Sequence, residues 1–254
     1  MNFTYNGYTE LINNLKAHGY SFCGYNDWHK SGSTDKVVIL RHDIDNDIHK
    51  ASRLAQLESS LGGGEVSSTY FVLLTSDFYN VFSKESYDGL KEIISCGHEI
   101  GLHFDELRYP DLQNNIQAIK SKIMEECAVL SEAVGTPIKT VSMHRPSKAV
   151  LDADIQFSNG LINSYGKTFF NDFKYLSDSR RRWRESVDEI ISSERYQKLH
   201  ILTHAFWYNE QELSLRDSLL SFIKVGNVER YRHMDSNFTN LGEEVKESEV
   251  ACGE

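Results

Sequence analysis

An α/β architecture, layered or closed into a barrel, is what this 254-residue chain predicts, on two observations. Short β-type runs alternate with helical patterns along the body, the pattern of parallel strands covered by helices. Four of the strand-like runs also finish in His, Asp or Arg, and in parallel α/β folds functional groups collect where strands end. Composition agrees: 40% hydrophobic and 25% charged residues describe an ordinary globular chain and exclude wholesale disorder.

Each element has a local reason. Residues 8–18 place Leu11, Ile12 and Leu15 at helical spacing, and Gly19 follows as a stop. Residues 36–43 read as a buried strand running into a charged end. Residues 47–61 carry Ile48, Ala51, Leu54, Ala55 and Leu57 on or near one helical face, with Asp47 placed to cap the start and three glycines from Gly62 ending it. A strand is expected over 67–74, a helix over 87–96 closed by Gly97, and a strand over 98–104. A long helix over 112–134 breaks before Gly135 and Pro137, and strands are expected over 139–143, 161–165, 173–176 and 199–203. Residues 1–241 show no dividing linker and read as one domain. The tail, 242–254, is acidic (Glu243, Glu244, Glu247, Glu249, Glu254) and aromatic-free, so disorder is expected there.

The net charge of −10 repels phosphate backbones and anionic lipid, which argues against nucleic-acid or membrane partners. Cys23, Cys96, Cys127 and Cys252 form no CxxC pair, which fits reduced thiols rather than a disulfide framework or a thiolate metal site. The first residues carry no basic and apolar leader, and the run Val37, Val38, Ile39 and Leu40 is strand-sized rather than membrane-spanning. A cytoplasmic location is expected.

The strand ends hold the chemistry. They read Arg41-His42-Asp43-Ile44-Asp45, His103-Phe104-Asp105-Glu106, His144-Arg145-Pro146 and Thr203-His204. Buried groups of these types are costly unless paired or bound to metal. Asp43 and Asp45 are two apart, so on a continuing strand both point to one side. Two converging carboxylates repel unless a cation or a shared proton intervenes, and a divalent metal resolves the conflict. His98 and His103 fall on opposite faces. His98, at the strand start, suits a structural role, and His103, at the far end, suits a ligand. His200 and His204 share a face, with His204 at the loaded end and His200 structural or exposed.

In this order the strand ends resemble the signature regions of the NodB-type polysaccharide deacetylases, carbohydrate esterase family 4, from about residue 36 to 207. The resemblance implies a distorted (β/α) barrel of about seven strands. It also implies a metal-dependent hydrolase, usually with zinc, that removes N- or O-acyl groups from sugars. Leu40-Arg41-His42-Asp43-Ile44-Asp45 is similar to the first motif, which makes Asp43 the general base and Asp45 a metal ligand. Gly97-His98-Glu99-Ile100-Gly101-Leu102-His103 matches the second, which makes His103 a metal histidine. Arg145-Pro146 resembles the third, whose arginine orients the base. Asp178 with Trp183 resembles the fourth, and Ile201-Leu202-Thr203-His204 the fifth, with His204 as general acid supported by Asp178.

One departure stands out. Leu107 occupies the place where the family supplies its second metal histidine. His144 is the expected substitute, with Glu106, Asp105 and His49 behind it, since zinc sites use three protein ligands plus water. The basic run Arg180-Arg181-Arg182-Trp183-Arg184 offers either a solvated face or substrate contacts through Arg182, Trp183 and Arg184, and Trp207 joins that substrate-binding set. The expected substrate is a small or carrier-linked amino sugar bearing an acetyl or formyl group. The rival readings are a non-catalytic sugar-binding relative, a metallophosphoesterase and a scaffold in an assembly complex.

Overall fold

The computed structural model describes residues 1–30 and 36–251, so Cys252 and Glu254 lie outside the described residues. The chain divides into two compact units, Met1–Glu210 and Gln211–Glu254. This differs from the expected boundary at 241/242.

Met1–Glu210 carries, in order, α1 (Tyr5–Ala17), β1 (Ser21–Phe22), β2 (Val37–Ile44), α2 (Ile48–Gly62), β3 (Ser68–Val72), α3 (Lys84–Ser95), β4 (Glu99–Phe104) and α4 (Ile116–Val134). It continues through β5 (Thr140–Met143), α5 (Lys148–Ala153), β6 (Ile162–Asn163), α6 (Lys167–Asn171), β7 (Lys174–Ser177), α7 (Val187–Ser192) and β8 (Lys198–Thr203). The expected helices and longer strands all occur, with ends shifted by a few residues. Asp47 caps α2 as its chemistry suggests, accepting from the Lys50 amide at 3.0 Å, and Gly63 closes that helix at φ 54°. The two-residue β1 and the short α5, α6 and α7 were not anticipated, because runs this short carry no period.

Among the described residues every strand pairing is parallel, in the order β6-β5-β4-β3-β2-β8-β7, with β1 added beside β2. The sheet is strongly curled. Neighbouring strands sit about 4.8 Å apart, so in a flat sheet β2 and β5 would be separated by roughly 14 Å. Yet Arg41 of β2 hydrogen-bonds Ser142 of β5, and its guanidinium lies 4.8 Å from the Tyr165 ring beyond β6. The fold is the distorted (β/α) barrel that the motif resemblance implies, with seven strands in the main path.

Period two assigns the faces of β2. Val38, Leu40 and Ile44 pack outward in the main core with α1 and α2, whereas Val37 and Ile39 join an inner cluster with Tyr25, Phe71, Phe169 and Phe173. Gly101 makes the inner packing feasible: a Cβ there would lie 2.6 Å from the Phe71 ring. Because all strands run the same way, their carboxyl ends, and the motif residues on them, open at one rim.

Gln211–Glu254 holds α8 (Leu215–Asp235), α9 (Leu241–Glu244) and α10 (Glu247–Ala251). The acidic tail, where disorder is expected, carries α9 and α10. Tyr231 Oη donates to the Val245 carbonyl at 2.9 Å, and Arg232 pairs with Glu247 at 3.1 Å, so the acidic segment folds back on α8. The sequence hides α8 because it leaves Leu215, Leu219, Ile223 and Met234 exposed rather than turning one apolar stripe inward. Among the described residues, no helix is long and apolar enough to cross a membrane.

Candidate active site

At the rim, Asp45 Oδ1, His103 Nε2 and His144 Nδ1 face one another. The two histidine nitrogens lie 3.3 and 3.2 Å from the carboxylate oxygen and 3.0 Å from each other. Asp45 Oδ1 is buried and has no hydrogen-bond partner, although both imidazoles are within ion-pair distance. A buried carboxylate oxygen left without a hydrogen bond is costly. The spacing fits a cation. Four ligands about 2.1 Å from zinc stand about 3.4 Å apart along the tetrahedron's edges. This is the one group of three or more His, Cys, Asp or Glu with metal-ligating spacing among the described residues.

The histidine ring is set by its other nitrogen. His103 Nδ1 lies 3.2 Å from Ser142 Oγ, which also accepts from Arg41 Nη2. Ser142 Oγ can accept the Nδ1 proton of His103, and in that tautomer the Nε2 lone pair turns toward Asp45 and His144, the form a metal ligand needs.

Asp43 lies beside this group, its Oδ2 3.5 Å from His103 Nε2. Arg41 grips it with two parallel bonds, Nε to Oδ1 at 2.9 Å and Nη2 to Oδ2 at 2.8 Å. Burial raises the Asp43 pKa, but Arg41 and then His103 outweigh it and hold the carboxyl below its usual range. Burial likewise opposes ionisation of Asp45, and the imidazoles of His103 and His144 overcome it, so its pKa is also held well below the carboxylate range.

His204 closes the other side, its Nε2 3.9 Å from Asp45 Oδ2. Asp178 is fully buried and accepts twice from His204: from the ring Nδ1 at 2.6 Å and from the backbone amide at 3.1 Å. Burial disfavours the imidazolium, yet Asp178, followed by Asp43 and Asp45, raises the His204 pKa to about 9. Asp178 thus aims the ring and keeps a proton on Nε2, toward Asp45.

The motif resemblance assigns the base-orienting role to Arg145, and the structure pairs that arginine with a different carboxylate. Arg145 is 58% exposed and pairs with Asp105, while Asp43 is held by Arg41 from its own strand. The period-two rule that aligns Asp43 with Asp45 also aligns Arg41 with Asp43, so the signal was present in the sequence. The other candidates for third ligand are occupied elsewhere. Asp105 holds Arg145 and the Leu107 amide at 3.1 Å, Glu106 accepts from the Ser147 amide at 2.5 Å, and His49 is exposed on the first turn of α2. Arg182 and Arg184 are exposed after β7. Trp183 and Trp207 are half-buried against the main core, and each indole N–H lacks a hydrogen-bond partner. Glu185 pairs with Lys174 at 2.6 Å.

His98 is structural as expected, donating to the Ala55 carbonyl at 3.1 Å. His200 is fully buried inside the barrel, its Nε2 2.7 Å from the Tyr25 hydroxyl, and burial followed by Arg41 lowers its pKa to about 3. Sequence reasoning missed the outer partner of His42. That ring reaches Glu58, at 3.1 Å, and Thr203 Oγ1, at 2.6 Å.

No protein-family model matches the chain, and no curated protein matches it. Solved structures do. The chain is similar to IcaB from Ammonifex degensii, at 16% identity over 58% of this chain and 70% of that one, with a TM-score of 0.42. It is similar to the polysaccharide deacetylase Bc1974 from Bacillus cereus, at 18% identity over 67% and 79%, with a TM-score of 0.40. A family 4 carbohydrate esterase from Bacillus anthracis matches at 15% identity over 87% and 86%, with a TM-score of 0.38. The likeness is one of fold.

Proposed function

We propose that this chain is a metal-dependent hydrolase that removes an N-acyl group, acetyl or formyl, from an amino sugar. One observation carries the reading: three ligand atoms within 3.3 Å of one another lie between a carboxylate poised as base and an imidazole poised as acid. Asp45, His103 and His144 would hold a divalent metal, zinc by the nature of its two nitrogens and one oxygen, and that metal supplies Lewis-acid polarisation of the acyl carbonyl. Asp43 accepts the proton of the attacking water. His204 Nε2 donates a proton to the departing amine, and Asp178 holds the ring in the tautomer that can do so. Trp207, on the turn just after His204, would offer its ring to the sugar. Trp183, Arg182 and Arg184, which follow Asp178, complete the substrate side and suit a nucleotide-linked or lipid-linked sugar presented in the cytoplasm.

The test is direct. The full chain, loaded with zinc, is incubated with N-acetyl and N-formyl amino sugars, free and nucleotide-linked, and acetate or formate release is followed by NMR. Release that a chelator stops and added zinc restores is expected. Absence of acyl release, with phosphate freed from a chromogenic phosphate ester instead, would replace the proposal with a phosphoesterase.

A further inference from the structure

Among the described residues, Arg41 is the largest fully buried side chain. A guanidinium at the centre of a barrel needs several compensations at once, and the structure supplies them. Its plane is flanked by the rings of Phe71 and Tyr165, with 5.1 and 4.8 Å to their centroids. Its edge donates twice to Asp43, and its remaining donors reach Ser142 and, at 3.5 Å, Ser164. Arg41 therefore joins β2 to β5 and to the segment after β6. The Ser142 hydroxyl it contacts is the one that orients His103.

We propose that Arg41 is the positioning residue of the base, fixing the orientation of Asp43 through its two parallel bonds and that of His103 through Ser142. The part the motif resemblance gives to Arg145 is thereby moved into the first strand. The inference rests on the hydrolase reading above, since it says which residue aims that reading's base. A lysine in the same place keeps the charge but offers a point donor, which cannot fix a carboxylate plane or reach Ser142 at the same time.

The experiment compares Arg41→Ala, Arg41→Lys and Arg145→Ala in the zinc-loaded full chain, with 4-nitrophenyl acetate as the probe. Arg41→Ala is expected to lower kcat by about 100-fold with little change in KM, the scale of a misaimed catalytic group. Arg145→Ala is expected to lose far less. Zinc affinity, measured by titration, should stay within about tenfold in Arg41→Ala, the lower bound for removing an outer partner of a ligand.

A second readout needs no substrate. Millimolar guanidinium chloride, against sodium chloride of equal strength, should raise the Tm of Arg41→Ala by refilling the slot between Phe71 and Tyr165. It should not do so in wild type or in the double variant lacking Asp43. An Arg145→Ala loss equal to that of Arg41→Ala, or an unchanged kcat in folded, zinc-binding Arg41→Ala, overturns the proposal. If Arg41→Ala does not fold, Arg41→Lys decides: an unchanged kcat overturns the inference, and about a tenfold fall supports it. Wild type that hydrolyses nothing defeats the hydrolase reading alone, because the guanidinium effect on Tm still reports whether Arg41 and Asp43 act as one socket.

Discussion

The two faces of β2 bury charge in opposite ways. On the inner face Arg41 and Asp43 pair, and Asp45 is left with an oxygen that no hydrogen bond satisfies. On the outer face His42 meets Glu58, which is fully buried and saturated. Tyr8 donates to it at 2.5 Å, Ser68 at 2.9 Å and Tyr70 at 2.7 Å, and His42 completes the set. Both faces bury charged groups, so burial alone does not mark function. Bonding capacity that converges on one point does. The outer cluster ties α1 and α2 to the sheet and has nothing to offer a ligand, whereas the inner one converges on a point where a cation completes it.

Substitutions should separate the faces cleanly. Asp43→Asn is expected to lower acyl release by about 10²–10⁴-fold, the usual worth of a positioned base, with zinc content unchanged by elemental analysis. Glu58→Ala should do the reverse. Removing one partner of a buried pair costs about 3–5 kcal/mol, read as a lower denaturant midpoint, while zinc affinity holds. An outer-face variant that lost zinc before it lost stability would erase the distinction.

Acid should test the outer face through Glu58. Burial raises the Glu58 pKa, but His42 and the hydroxyls outweigh it and bring it to about 2, against 4.5 ordinarily. A depressed folded-state pKa contributes stability that is present above 4.5 and lost as pH falls toward 2. The slope of Tm against pH over that window should flatten in Glu58→Gln, and an unaltered slope would show that other carboxylates set acid stability. The smallest effect is expected at Ser142→Ala, which removes the hydroxyl holding His103. It should weaken zinc binding by roughly 10–100-fold in a competition titration and leave the fold intact.

The comparison also explains which parts of the site were legible. His103, His204 and the aspartate pair could be found because strand ends and period-two spacing are local properties of the chain. His144 was singled out because it stands just before Arg145 of the third motif, ahead of Glu106, Asp105 and His49. Arg41 was passed over although the same spacing rule pointed to it, and Arg145 was given its role by motif order. Motif order says nothing of which carboxylate an arginine reaches. Asp105, two residues beyond His103, claimed Arg145 first.

Alternation, helix stops and caps were settled by the amino-acid sequence itself, because each depends on neighbours within a turn or a strand pitch. It also marked one end of the sheet as chemically loaded. The curl of the sheet belongs to the tertiary structure, and it brings His144 of the β5 end to 3.2 Å from Asp45 of the β2 end, where a flat sheet would hold them roughly 14 Å apart. Side-chain partners, the free valence on Asp45 and the division at 210/211 follow from that curvature and from packing across the molecule. Interactions between residues distant in the chain leave no period for a sequence reading to detect.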